Sequence, residues 1–236
     1  PGGELQSGER GPPRGPGGLD GAANSPCRLG AMAVREYQKK RRRERIFRAA
    51  MELFRNRGFQ ETTATEIAKA AHVSRGTFFN YYPYKEAVLL DYGSQLLAGL
   101  REEVRRLLAQ GREPVEVLHY LFRVLAEGTA REKDLLLPMF YELLNPDPAR
   151  ARAAFEALPL GDLIAEILKP LREQGVLRQD FSLERMGRTL ADLYFLSALR
   201  WAAYTPGRDL AEELEKNLRL LLEGMLVREA PAPGGL

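Results

Sequence analysis

The sequence is poor in the residues that support covalent cross-links, metal sites and acid–base catalysis. Its 236 residues include one cysteine, so no disulfide can form within the chain, and two histidines, His72 and His119. A single cysteine suits a reducing compartment, and we expect a cytoplasmic protein without a metal or another cofactor. No apolar run approaches the ~18 residues that a membrane span needs, so no membrane partner is expected.

Catalytic motifs are missing as well. The two histidines are far apart in the sequence and belong to no Cys/His set with metal-ligand spacing. There is no Gly-x-Ser-x-Gly elbow, and the glycines of residues 15–18 lie in a low-complexity stretch rather than in a phosphate-binding loop. We therefore expect a protein that is not an enzyme.

Positive charge is concentrated in one segment of the chain. Residues 35–85 hold 13 Lys/Arg against 5 Asp/Glu, whereas residues 86–236 hold 19 against 24. This asymmetry predicts a polyanionic partner for the basic segment, with a solvated charged surface as the alternative. We interpret the run that opens the segment as a phosphate or minor-groove arm, with a solvated helix start as the alternative. The run consists of Lys39, Lys40, Arg41, Arg42 and Arg43.

The two ends of the chain differ in composition from its middle. Residues 1–34 contain 9 Gly and 5 Pro and few large apolar groups, too few to offset the entropy cost of ordering. We predict that residues 1–34 and 231–236 are disordered. Met32, just before the patterned region, is our expectation for the natural start of the protein.

Hydrophobic spacing in the middle of the chain predicts an all-α protein. Apolar residues between Ile46 and Phe54 recur at three- and four-residue intervals, as on one buried helical face, and the pattern stops at Gly58. No strand-type alternation of useful length appears. Further helices are predicted at about 64–71, 75–82, 85–110, 114–130, 132–145, 148–158, 160–174, 183–204 and 208–228.

Two short predicted helices in the basic segment have well-defined starts. Thr63 and Glu66 form a capping box, and Ser74 is placed to cap the following helix. Phe78 and Tyr82 lie four residues apart on one side of that second helix. A short helix, a tight turn and a capped second helix make a helix-turn-helix, whose second helix enters the DNA major groove.

The other side of the second helix carries side chains suited to base edges. Arg75 can bond guanine, Asn80 can bond adenine, and the Thr77 methyl group can pack on a thymine methyl. We therefore predict double-stranded DNA as the partner. The alternative is a helical protein-interaction module whose basic surface meets an acidic protein.

This stretch resembles the N-terminal signature of the tetracycline-repressor (TetR) family of bacterial transcriptional regulators. Residues 42–90 keep the order and spacing of that signature. His72 departs from it, because the family has glycine in the turn, and histidine tolerates a positive φ less well than glycine does. The matching elements are Gly58-Phe59, Thr62-Thr63, Ile67-Ala68, Ala71-His72-Val73-Ser74, Gly76-Thr77, Phe78-Phe79-Asn80-Tyr81-Tyr82 and Lys85.

The resemblance implies roles for individual residues and a plan for the domains. Arg75, Thr77 and Asn80 would face bases. A DNA-binding domain over 35–84 would be followed by an effector-binding and dimerisation domain over 85–230. The residues that would contact or pack against the phosphate backbone are Thr63, Phe79, Tyr81 and Lys85.

The resemblance also implies a homodimer that binds a palindromic operator, usually as a repressor, and leaves it when an effector binds. A ligand-independent or activating regulator is the alternative. The apolar faces of helices at about 183–204 and 208–228 are expected to form the dimer interface. The other interpretation of these faces is that they only fill the core of the monomer.

An effector cavity is expected among the middle helices. Their leucine- and phenylalanine-rich composition predicts a small hydrophobic effector, such as a fatty acyl or an aromatic compound. His119 and Tyr141 are the expected polar markers, although a histidine in this setting is more often part of the core. The expected walls are Leu97, Leu100, Phe122, Leu125, Phe140, Leu144, Phe155, Ile164 and Leu168.

Overall fold

The computed structural model describes residues 26–204 and 207–226. Over these residues the chain is helical, with no strand beyond an isolated antiparallel bridge between Leu177 and Leu226. The predicted all-α class is confirmed. The elements are α1 (Pro26–Arg57), α2 (Ala64–Ala70), α3 (Arg75–Tyr81), α4 (Glu86–Ala109), α5 (Pro114–Arg131), α6 (Lys133–Tyr141), a 3-10 helix (Glu142–Leu144), α7 (Pro148–Ala157), α8 (Leu160–Glu173), α9 (Leu183–Tyr204) and α10 (Leu210–Met225).

The first helix begins at Pro26, inside the segment 1–34 that the composition predicts to be disordered. Proline is well tolerated in the first turn of a helix, and the residues after Gly30 are good helix formers. Residues 26–34 are therefore helical. Residues 1–25 and 231–236 lie outside the described residues, so the prediction of disorder there is not tested.

The described residues divide into two units, one that ends at Glu44 and one that begins at Arg45. In the first unit, every side chain from Val34 to Glu44 is exposed, including the basic run 39–43. The Arg41 guanidinium lies 5.8 Å from the centroid of the Tyr37 ring. The basic run thus lies on an exposed stretch of helix.

The second unit is built around one apolar core to which every helix from α2 to α10 contributes. The pair α8 and α9 packs most closely at Gly161 and Gly187, where a Cβ at Gly187 would collide with the Gly161 carbonyl oxygen. Inside this core the hydroxyl groups of Thr129 and Tyr194 are 2.6 Å apart, and burial raises the pKa of Tyr194. No helix among the described residues is both long and apolar enough to cross a bilayer.

The apolar faces that the sequence assigns to dimerisation are used largely within the chain. Burial within one chain is favoured because these faces complete the core around α5 and α8. A different side of the same helices is open, where Leu196 of α9 is 54% exposed and Leu220 of α10 is 70% exposed. The buried residues of these faces are Met186, Leu190, Tyr194, Ser197 and Trp201 on α9 and Leu210, Leu214, Leu218 and Leu222 on α10.

Candidate nucleic-acid interface and effector cavity

The predicted capping box sets the start of α2. The Thr63 hydroxyl oxygen accepts a hydrogen bond from the Glu66 backbone N–H at 3.2 Å, and the Glu66 carboxylate accepts one from the Thr63 backbone N–H at 2.9 Å. The hydrogen bond from the Thr63 backbone N–H, followed by one that the Thr63 hydroxyl donates to the Glu66 carboxylate at 2.8 Å, holds the pKa of Glu66 below its usual value. The capping box is confirmed.

The turn between α2 and α3 depends on a left-handed residue. His72 has φ 51°, in the region that favours glycine. Its backbone N–H donates to the Lys69 carbonyl at 3.1 Å, and the next N–H, of Val73, donates to the Ala68 carbonyl at 2.9 Å. His72 therefore adopts the conformation expected from its place in the signature.

The buried side of α3 fixes this helix to its neighbours. The Ser74 hydroxyl accepts a hydrogen bond from the Thr77 backbone N–H at 3.0 Å and so caps the helix. Phe78 and Tyr82 are buried, and the Tyr82 hydroxyl donates to the Asp91 carboxylate of α4 at 2.6 Å. This hydrogen bond joins the C-cap residue of α3 to α4.

The other side of α3 presents the predicted reading residues. Arg75, Phe79 and Asn80 are exposed, and Thr77 and Tyr81 are half-buried. The Arg75 guanidinium lies 5.3 Å from the centroid of the Phe79 ring, which orients it on the helix surface. The Thr77 hydroxyl is engaged with the Ser74 hydroxyl at 2.8 Å, so its methyl group is the part that remains for a base contact.

Lys85 lies differently from the phosphate contact that the signature implies. Its ammonium group donates to the Phe59 carbonyl at 2.7 Å and lies 4.1 Å from the centroid of the Phe59 ring. Desolvation lowers the pKa of Lys85. In this structure Lys85 joins the start of α4 to the loop after α1 through the Phe59 carbonyl, which also accepts a hydrogen bond from the Thr62 backbone N–H at 3.3 Å.

An apolar cavity of about 390 Å³ lies among α4, α5, α6, α8 and α9. Four predicted wall residues line it, namely Leu97, Leu100, Leu125 and Phe140. Its edge is polar. The other residues that line it are Tyr92, Gly93, Leu96, Gly99, Val124, Glu127, Gly128, Arg131, Glu132, Leu136, Met139, Leu158, Leu160, Tyr194 and Phe195.

The remaining predicted wall residues lie elsewhere. His119 is paired with Glu215 of α10, with Nδ1 2.9 Å from the carboxylate, so the expectation that it marks the cavity is corrected. Its partner is too distant in the sequence for periodicity to reveal. The other corrected positions fall into a buried set, Phe122, Ile164 and Leu168, and an exposed set, Tyr141, Leu144 and Phe155.

Glycines in the cavity wall could not be found by searching for large apolar residues. Gly99 of α4 and Gly128 of α5 line the cavity, and a Cβ at either would meet no atom within 4 Å. Glycine inside a helix lowers stability by about 1 kcal/mol relative to alanine. A glycine within a predicted helix is therefore a sequence signal for a position with a packing or functional role.

The polar edge of the cavity is held together by hydrogen bonding. The Tyr92 hydroxyl donates to the Glu132 carboxylate, which stands between α5 and α6. Desolvation, followed by this hydrogen bond, raises the pKa of Tyr92. The edge also carries two further charged residues, Glu127 and Arg131.

Two protein families match the second unit of the chain, one over its first part and one over most of the remainder. A family described as "Bacterial regulatory proteins, tetR family" matches residues 46–92. A second, described as "TetR/AcrR family transcriptional repressors, C-terminal domain", matches residues 94–224.

Individual relatives agree with these matches. The crystal structure of Thermus thermophilus FadR, a TetR-family transcriptional repressor in complex with lauroyl-CoA, is 98% identical, covers 82% of this chain and all of that chain, and has a TM-score of 0.78. FadR from Bacillus subtilis, in complex with stearoyl-CoA, shares the fold at 19% identity, with a TM-score of 0.61 over 77% of this chain and 98% of that one. UidR, a transcriptional regulator of Escherichia coli K12, is 24% identical over 78% of this chain and 92% of its own length.

Proposed function

The chain belongs to the TetR family of bacterial transcriptional regulators, and on that premise we propose that it is a homodimeric repressor released from a palindromic operator by a fatty acyl-CoA. The observation that carries the effector class is the apolar cavity, lined mainly by leucines and aromatic side chains and bordered by the charged residues Glu127, Arg131 and Glu132. Such a cavity suits an acyl chain, and Arg131 is the lining cation that would meet an anionic head group outside.

DNA recognition is proposed to use α3 and its surroundings. Arg75, Thr77 and Asn80 would read base edges in the major groove, and Phe79 and Tyr81 would pack against the backbone with Thr63 at the start of α2. The exposed basic run 39–43 would neutralise phosphates, which would make binding strongly dependent on salt. The Lys85 ammonium group has three donors, so it would contact a phosphate with a donor that its bond to Phe59 does not use.

The acyl-CoA proposal is also supported by the relative whose complex contains lauroyl-CoA. That protein and this chain are 98% identical, so residues lining the cavity here are expected to have counterparts there. The cavity volume of about 390 Å³ lies in the usual range for small-molecule sites, about 300–1,000 Å³. It is too small for the whole of an acyl-CoA, so the head group is proposed to stay outside.

The homodimer is proposed to form through the open side of α9 and α10. Leu196 and Leu220 are exposed there, on two helices that pack against each other. Association with a second copy through this side would remove these two large apolar side chains from water. Two copies would place two α3 helices about one DNA turn apart, some 34–36 Å.

The test of this function is selection of a binding site from a random duplex pool near physiological salt. We expect an enriched palindrome with half-sites about one helical turn apart, and loss of the retained DNA when lauroyl-CoA is added. Arg75→Ala should abolish the enrichment while the fold, measured by circular dichroism, persists. Weak, salt-sensitive retention without any enriched sequence would contradict the proposal.

A further inference from the structure

Two contacts connect the wall of the effector cavity to α1, the helix that precedes α2 and α3. The Tyr92 hydroxyl donates to Glu132, and both residues line the cavity. Arg55 of α1 pairs with the same Glu132 carboxylate at 3.9 Å, and its guanidinium lies 5.8 Å from the centroid of the Tyr92 ring. Arg55 itself does not line the cavity.

Tyr92 also has space on its other side. A second cavity, of about 290 Å³, lies between α1 and α4, and Tyr92 and Arg55 both line it together with Phe47 and Met51. Tyr92 therefore separates two cavities. The second cavity leaves space beside the Tyr92 ring on the side where Arg55 lies.

A second set of contacts, near the start of α4, does not include a residue that lines the effector cavity. Arg150 pairs with Glu142 and Glu86 and lies over the Tyr84 ring. None of these residues lines the effector cavity. An occupant of the cavity meets Tyr92 and Glu132 directly, whereas it reaches the Arg150 cluster only through intervening residues.

We propose that Arg55 is the positioning residue through which occupation of the effector cavity is communicated to α1. This inference rests on the proposed effector function. An acyl chain that presses on Tyr92 and Glu132 disturbs the two contacts that hold Arg55, and α1 loses its attachment to the cavity wall. A coupling of this kind requires that the effector distinguish the attached state from the detached one.

The experiment measures the ratio of operator Kd with and without saturating lauroyl-CoA in the full-length protein. For Arg55→Met we expect this ratio to fall at least fivefold relative to the wild-type protein, within the usual range of allosteric coupling. Arg55→Lys keeps the cation and should restore most of the ratio, which a purely structural role would not predict. Tyr92→Phe keeps the ring but removes the hydrogen bond to Glu132, and it should lower the ratio independently.

The matched control is Arg57→Met. Arg57 is on the same helix, is similarly exposed and pairs with Glu66 at 3.2 Å, within the DNA-binding part. Its loss should change the operator Kd with and without lauroyl-CoA by the same factor, so the ratio should be kept. Calorimetry should show that Arg55→Met still binds lauroyl-CoA.

The possible failures are distinguishable. If the wild-type protein responds to lauroyl-CoA and Arg55→Met and Tyr92→Phe respond equally, the role of Arg55 is overturned and the proposed function stands. If the wild-type protein binds its operator with the same Kd in both conditions, the proposed function fails and this inference fails with it.

Discussion

The buried Glu142 carboxylate accepts two hydrogen bonds from the Arg150 guanidinium, at 3.0 Å from Nε and 2.7 Å from Nη2. Arg150→Met would leave this carboxylate without its cation. Because Arg150 is itself partly exposed, we expect a loss of about 2–4 kcal/mol in the free energy of unfolding, near the lower end of values for broken buried pairs. Urea unfolding measures it.

The double variant Arg150→Met with Glu142→Gln provides the control. Neutralising Glu142 removes the penalty of an unpaired buried charge, so the double variant should be less destabilised than the sum of the single variants. Strict additivity would show that the pair is not coupled.

Thr63→Ala should destabilise the protein by about 1 kcal/mol at pH 7, because it removes the oxygen that caps α2. Thr65→Ala changes an exposed threonine of the same helix that is not at the cap, and should have a much smaller effect. Thermal unfolding of the two variants at equal protein concentration compares them.

The pKa of Glu66 makes the capping box sensitive to pH. Since the folded-state pKa lies below the ordinary 4.5, the contribution of Glu66 is present above pH 4.5 and is lost as the pH falls through the folded-state value. The stability difference between the wild-type protein and Thr63→Ala should shrink over that window. Titration of Glu66 by NMR at an unshifted pKa would contradict this account.

His72 should tolerate glycine and reject a β-branched residue. At φ 51° a valine is strained, and we expect His72→Val to be about 1–2 kcal/mol less stable than His72→Gly. The unfolding curves of the two variants measure this difference in stability. Equal stability of the two variants would mean that the turn does not require a left-handed residue.

Gly128 should set how much of an acyl chain the cavity accepts. Because a Cβ there meets open space, Gly128→Leu would place its side chain in the cavity, and we expect at least tenfold weaker lauroyl-CoA binding by calorimetry. Gly128→Ala makes the same backbone change with little volume and should bind nearly as well as the wild-type protein. Unchanged lauroyl-CoA affinity in Gly128→Leu would place the acyl chain elsewhere.

Features that depend on neighbouring residues could be predicted from the sequence. The Thr63–Glu66 box and the cap at Ser74 involve residues three apart, so the starts of α2 and α3 follow from local chemistry. The predicted helices from α2 to α10 begin and end close to the observed bounds for the same reason.

Features that depend on residues far apart in the sequence could not be predicted from it. The pairing of His119 with Glu215 joins α5 to α10, and nothing near His119 announces it. Periodicity likewise finds an apolar face without saying what covers it. For example, Leu218 is buried within its own chain, whereas Leu220, two residues later, is exposed.

The most direct test of the central claim is the fluorescence anisotropy of the selected operator duplex, titrated with protein in the presence and absence of lauroyl-CoA. We expect lauroyl-CoA to raise the operator Kd at least tenfold, and free coenzyme A at the same concentration to leave it unchanged, because the acyl chain is the part that fills the cavity. An operator Kd that stays the same at lauroyl-CoA concentrations that saturate the protein by calorimetry would contradict the account.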